Sequence, residues 1–225
     1  MREVLRVSPY AYCKNNPINK IDIDGRDDYF SNNGIFLYSK GNGANIYIKQ
    51  DNYFVNFSNI KLNTHKNMQM AAKVVRHYAK EVGIRYYKNG GTGSVGVSIM
   101  HYADYKGRIL AATANDNIYI NVTSGSLDSY MYNANNMKST LVHKNEHKKN
   151  PGETVGNPIR HAQISLTEMN SEFFSKSTEE YQQSIINQFH GYIEAARNSG
   201  VSDNTKINEL LRQRNELLKS HNINF

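Results

Sequence analysis

Residues 137–168 read MKSTLVHKNEHKKNPGETVGNPIRHAQISLTE, and the run His143-Lys144-Asn145-Glu146-His147 near their centre decides how the rest is read. In a helix each residue turns about 100°, so His143 and His147 lie about 40° apart, with Glu146 about 60° to the other side of His143. All three side chains then share one face. Leu141 falls on roughly the opposite side, where it can anchor the helix in a core while the imidazoles face a cleft. Two neutral imidazoles four residues apart are a ligand pair for a catalytic zinc, which takes three protein ligands and leaves a fourth position to water. Glu146, next to a ligand, is placed to accept that water's proton.

Downstream, Lys148 and Lys149 put cations at the negative end of the helix dipole, and Pro151-Gly152 breaks the chain behind them. Pro158 then opens a second helix over residues 158–170, with His161, Ser165 and Glu168 along one face. The spacing leaves two candidates for a third metal ligand, His161 and Glu168. Ser177-Thr178-Glu179-Glu180 has the form of a capping box opening a helix to Asn198, closed by Gly200. A last amphipathic helix follows over about 202–220 through Ile207, Leu210, Leu211, Leu217 and Leu218.

Upstream, the period changes from helical to alternating. Residues 34–39, 44–49 and 53–58 are short aromatic and β-branched runs separated by turn formers, read as a small antiparallel meander. Residues 64–82 form a helix capped by Thr64 and stopped by Gly83. Further strands are expected at 84–87, 95–102, 108–114 and 117–122, with a turn at 104–107. Helix 127–148, capped by Ser126, then carries the histidines. The fold class is α+β, an antiparallel or mixed sheet in the N-terminal half and helices in the C-terminal half.

Composition sets the frame. With 225 residues, 39% of them hydrophobic, the chain can bury a sizeable core. No apolar run approaches the roughly 18 residues of a membrane span, and no charged-then-apolar signal peptide opens the chain. A single cysteine, Cys13, excludes an internal disulfide framework and a cysteine-rich zinc site. The net charge of +7 favours acidic partners, but its lysines and arginines are scattered rather than gathered in one block. The remaining histidines, His65, His77, His101, His190 and His221, have no paired spacing and read as structural or surface residues. The Asn89-Gly-Gly-Thr-Gly93 run lacks the Lys-Ser/Thr of a phosphate loop and reads as a turn.

Residues 8–25, SPYAYCKNNPINKIDIDG, resemble the end of an RHS (YD-repeat) core domain, with Ile23 where that family usually has proline. The resemblance implies that residues 1–28 are the tail of a core shell of β-repeats. Residues 29–225 would then be the C-terminal toxin tip of a larger secreted bacterial protein, with a possible cognate immunity protein. His143-Lys-Asn-Glu-His147 resembles the inverted HxxEH motif of inverzincins, and a β region followed by a histidine-bearing helix resembles the zincin-like metallopeptidases. Similarity to predicted metallopeptidase toxin tips favours His161, followed by the small Ala162, as the third ligand; the inverzincin pattern favours Glu168. The implied function is a zinc-dependent peptidase acting on protein or peptide. Two alternatives stand beside it. A metal-dependent nuclease toxin would suit the basic charge, and a non-enzymatic tip with a decayed metal site would suit Lys144, which stands where an HExxH motif has its glutamate.

Overall fold

A computed structural model describes residues 26–84, 96–100, 111–114, 117–149, 156–200 and 204–223. The RHS-like segment up to Gly25, the 89–93 run, the 104–107 turn and nearly all of the strand expected at 84–87 lie outside the described residues. The architecture is α+β, with the sheets in the N-terminal half and the helices in the C-terminal half, as the period of the sequence predicts.

The first sheet contains β1 (Asp27–Phe30), β2 (Phe36–Lys40), β3 (Ile46–Gln50) and β4 (Tyr53–Asn56), in the order β2-β1-β3-β4. It is mixed rather than the expected meander: β1 pairs antiparallel with β2 and parallel with β3, and β3 pairs antiparallel with β4. The difference comes from β1, whose two aspartates give no strand signal. Asp28 is nonetheless buried, because Ser39 Oγ donates to its Oδ1 at 2.6 Å and the Tyr78 hydroxyl to its Oδ2 at 2.8 Å. Helix α1 (His65–Glu81) packs on this sheet, with His77 stacked on Phe36 and in edge contact with Phe30. Thr64 caps α1 by accepting from Asn67 N at 3.2 Å, and Gly83 at φ +77° turns the chain away behind it.

The second sheet has β7 (Asn117–Thr123) at its centre, parallel to β5 (Gly96–Met100) and antiparallel to β6 (Ala111–Ala114), with the short β8 (Ser126–Leu127) folded back on the end of β7. Residues expected to begin the histidine helix are therefore otherwise used. Ser126 lies in β8, and Ser129–Tyr132 form a 3-10 turn. Helix α2 spans Ala134–Lys149, and its cap is Asn133, whose Oδ1 accepts from Asn135 N at 3.0 Å and Asn136 N at 3.1 Å.

The remaining helices are α3 (Pro158–Met169), α4 (Glu172–Ser175), α5 (Glu179–Asn198) and α6 (Asn204–Ser220). Asn157 caps α3 with proline in its first turn. The cap of α5 is Thr178, accepting from Tyr181 N at 3.4 Å, so the expected capping box at Ser177 does not form. Two apolar cores result. One joins both sheets, α1 and the Met137–Leu141 side of α2; the other joins α3, α5 and α6 around Leu166, Phe189, Ile193 and Leu210.

Helix α2 lies between these cores and is buried continuously from Ala134 to Leu141. Five polar residues in that run are tolerated because each has a partner. Asn135 donates to Lys176 O at 3.1 Å, and Asn136 accepts from Thr178 N at 2.9 Å. Lys138 pairs with Glu81 of α1 at 2.9 Å, Ser139 reaches Glu168 of α3, and Thr140 reaches Tyr181 of α5. The helix that carries the histidines is thus tied to three other helices by side-chain polar contacts.

Candidate metal centre

His143 and His147 are buried on the α2 face that looks toward α3, opposite Leu141 in the first core. They are not a solvated stripe. Their Nε2 atoms approach to 3.0 Å with ring centroids 4.8 Å apart. His143 Nδ1 lies 2.7 Å from Glu168 Oε2. An ionised carboxylate only accepts, so Nδ1 donates to it, and Nε2, which faces His147, is the nitrogen that a neutral His143 offers to a metal. A carboxylate behind the non-ligating nitrogen is the arrangement that orients a metal-binding histidine.

The fully buried Glu168 is held on its other oxygen as well: Ser139 Oγ donates to Oε1 at 2.9 Å and the Tyr181 hydroxyl at 2.5 Å. Burial, reinforced by the Glu168 charge, raises the Tyr181 phenol well above its ordinary pKa, which keeps it a donor. His161 places its ring 4.9 Å from that of His147 and stacks on Tyr192 at 4.8 Å. The three histidines therefore form one file of rings, from the Glu168 carboxylate to the Tyr192 face.

The electrostatics favour neutral imidazole at His147. Desolvation is the largest influence, and His143, Lys144, His161 and Arg160 add to it, so its pKa is pushed down to about 2. Lys144 is also drawn into the site: burial lowers its ammonium pKa while the Glu168 charge pulls it upward. Glu146 is placed differently. Its carboxylate is paired with Lys149, one turn toward the helix end, and makes no hydrogen bond to the histidines. The structure thus gathers His143, His147, His161 and Glu168, and leaves Glu146 beside them in an ion pair.

Among the described residues, no group of three or more His, Cys, Asp or Glu side chains is closed around one point for a metal ion. The donor chemistry nevertheless fits one. Two imidazole nitrogens converge, one on a ring whose other nitrogen is held by a carboxylate, and imidazole suits zinc and its neighbours in the first transition row. A groove of about 870 Å³ beside Tyr130, Glu179, Gln183 and Asn187 holds none of these groups. Chemistry rather than size marks the site.

A family model described as metallopeptidase toxin 2 matches residues 28–225. The chain belongs to that family. No curated protein and no solved structure matches it. Membership makes residues 28–225 a polymorphic-toxin metallopeptidase domain, which implies a metal cofactor and a protein substrate. No helix among the described residues is long and apolar enough to cross a membrane. In this metallopeptidase toxin domain, sequence reading missed Ser139, Thr140 and Tyr181. A signal for the first existed, since Ser139 precedes His143 by one helical repeat on the same face; Tyr181 gave none.

Proposed function

We propose that the domain is a zinc-dependent peptidase with a zincin-like site, in which His143, His147 and His161 hold the ion and Glu146 is the general base. The observation that carries this is the 3.0 Å approach of two Nε2 atoms backed by the Glu168 carboxylate on His143 Nδ1. His161 is the third ligand in this reading because its ring already lies against His147, whereas both oxygens of Glu168 are occupied, Oε2 by His143 and Oε1 by Ser139 and Tyr181. A bound zinc supplies Lewis acidity and makes water acidic enough to lose a proton near pH 7. Glu168 keeps the His143 proton on Nδ1, and burial keeps His147 unprotonated. Glu146 accepts the proton of the attacking water at its carboxylate, after exchanging Lys149 for the histidine face.

The same reading takes residues 1–28 as the tail of an RHS core and the rest as its toxin tip, secreted as the C-terminal part of a larger bacterial protein. Its partners are the core shell, a protein or peptide substrate and a cognate immunity protein. Two observations favour a second reading, a non-enzymatic tip: Glu146 is engaged by Lys149, and Lys144 sits close enough to influence His147.

The deciding experiment is cleavage of casein and of nucleic acid by the wild type, Glu146→Gln and Lys144→Ala. Glutamine keeps the size of the base but takes no proton, so turnover falls by roughly 10² to 10⁴ while zinc stays bound. Lys144→Ala has the smaller effect. Full peptidase activity in Glu146→Gln removes Glu146 as the base. Hydrolysis of nucleic acid alone makes the domain a nuclease, and inactivity of zinc-loaded wild type on both leaves the non-enzymatic reading.

A further inference from the structure

Glu168 is an unusual residue to bury fully, and its surroundings show how it is kept there. As an ionised carboxylate it needs donors on both oxygens, since a buried charge without them is costly. It has three: His143 Nδ1–H at 2.7 Å on Oε2, and Ser139 Oγ–H at 2.9 Å and Tyr181 O–H at 2.5 Å on Oε1. The Tyr181 proton is committed to Glu168, so the 2.8 Å contact between Thr140 Oγ1 and the Tyr181 oxygen has threonine as its donor. The order of donation is Thr140 to Tyr181 to Glu168, with Ser139 joining at the same carboxylate oxygen. Three helices contribute, α2 with Ser139, Thr140 and His143, α3 with Glu168, and α5 with Tyr181.

We infer that Tyr181 and Ser139 are positioning residues of the metal centre: their hydroxyls fix the Glu168 carboxylate, which fixes the ring and the Nδ1–H tautomer of His143. Without them Oε1 loses its donors, and the carboxylate must rotate to find others. His143 Nδ1 then loses a fixed acceptor, and its Nε2 is no longer held as the lone-pair nitrogen facing His147. Thr140 orients Tyr181 one step further out. The metal part of this inference rests on the reading in the preceding section; the tautomer part does not.

The test uses the full chain and the variants Tyr181→Phe, Ser139→Ala and Ser139→Thr. Zn²⁺ affinity is measured by competition with a chromogenic chelator. The His143 tautomer is read in metal-free protein by long-range ¹H–¹⁵N correlation NMR. In the wild type His143 is expected as the Nδ1–H form. Tyr181→Phe and Ser139→Ala each convert it to a tautomer mixture and weaken Zn²⁺ binding by about 10- to 100-fold, the usual range for losing an outer-shell partner. Ser139→Thr, which keeps the hydroxyl, restores both. A merely structural role would lower thermal stability and leave the tautomer alone. Should Tyr181→Phe fail to fold, Ser139→Ala carries the same test. Folded variants with unchanged tautomer overturn the inference, as does a wild-type His143 in the Nε2–H form. If the wild type binds no zinc, the proposed peptidase falls, and the tautomer measurement alone decides whether the hydroxyls position His143.

Discussion

Folding keeps the His147 imidazole neutral by taking it out of water and setting it among His143, Lys144, His161 and Arg160. Its folded pKa of about 2 lies far below the unfolded value near 6.5, so between those limits the unfolded chain binds a proton that the folded chain refuses. Stability contributed at this position is intact above pH 6.5 and is lost as pH falls toward 2. Thermal melts of metal-free protein should therefore lose more stability between pH 7 and pH 4 in the wild type than in His147→Asn, which has no proton to take up. Parallel losses in the two proteins would show that His147 does not titrate this way. At this scale the sequence was a good guide to the histidine pair, because a spacing of four fixes one helical face wherever the helix lies. It was a poor guide to Glu146 and Glu168. Spacing places a carboxylate on a face, but the partner that captures it, Lys149 or His143, comes from local rotamers and from another helix.

Helix α2 was the hardest element to delimit. Its first two turns bury polar side chains on every side, so they carry no apolar stripe, and Ser126 offered an attractive but wrong cap upstream. What holds it in place is a set of buried polar contacts, of which the pair between Lys138 and Glu81 is the most exacting. Lys138 is almost wholly buried, its ammonium set over the Tyr78 and Phe173 rings as well. Burial raises the Glu81 carboxyl, but the His77 hydrogen bond and the Lys138 charge outweigh it and leave its pKa lowered. Glu81→Gln should cost about 3 to 5 kcal/mol at pH 7, since it leaves a buried charge without its counter-ion. A lowered carboxylate contributes stability above its unfolded pKa and loses it as pH falls through the folded value. The gap between wild type and Glu81→Gln in urea unfolding should thus narrow below pH 4.5. A gap that is small at pH 7, or that stays constant into acid, would contradict this assignment. Strand β1 was missed for a related reason: Asp27 and Asp28 carry no strand signal and fell within the segment read as a preceding tail, while Ser39 and Tyr78, distant in sequence, make Asp28 acceptable in a core.

Across the whole molecule, α2 gives its apolar side to the first core and reaches the helices of the second through polar side chains, and the candidate centre lies where it meets α3 and α5. The α+β class and the order of sheets before helices were readable from the change of hydrophobic period. The pairing of β1 with β3 was not, because parallel contacts between non-adjacent strands leave no local trace. Family membership over residues 28–225 places a metallopeptidase toxin on this scaffold, and the central claim is that its histidine file holds zinc. Elemental analysis of the full chain, purified without added metal, tests that claim most directly. The account predicts one zinc per wild-type chain, little or none in His143→Ala and His147→Ala, and a larger loss in His161→Ala than in Glu168→Ala. Equal zinc content in the wild type and His143→Ala would contradict it.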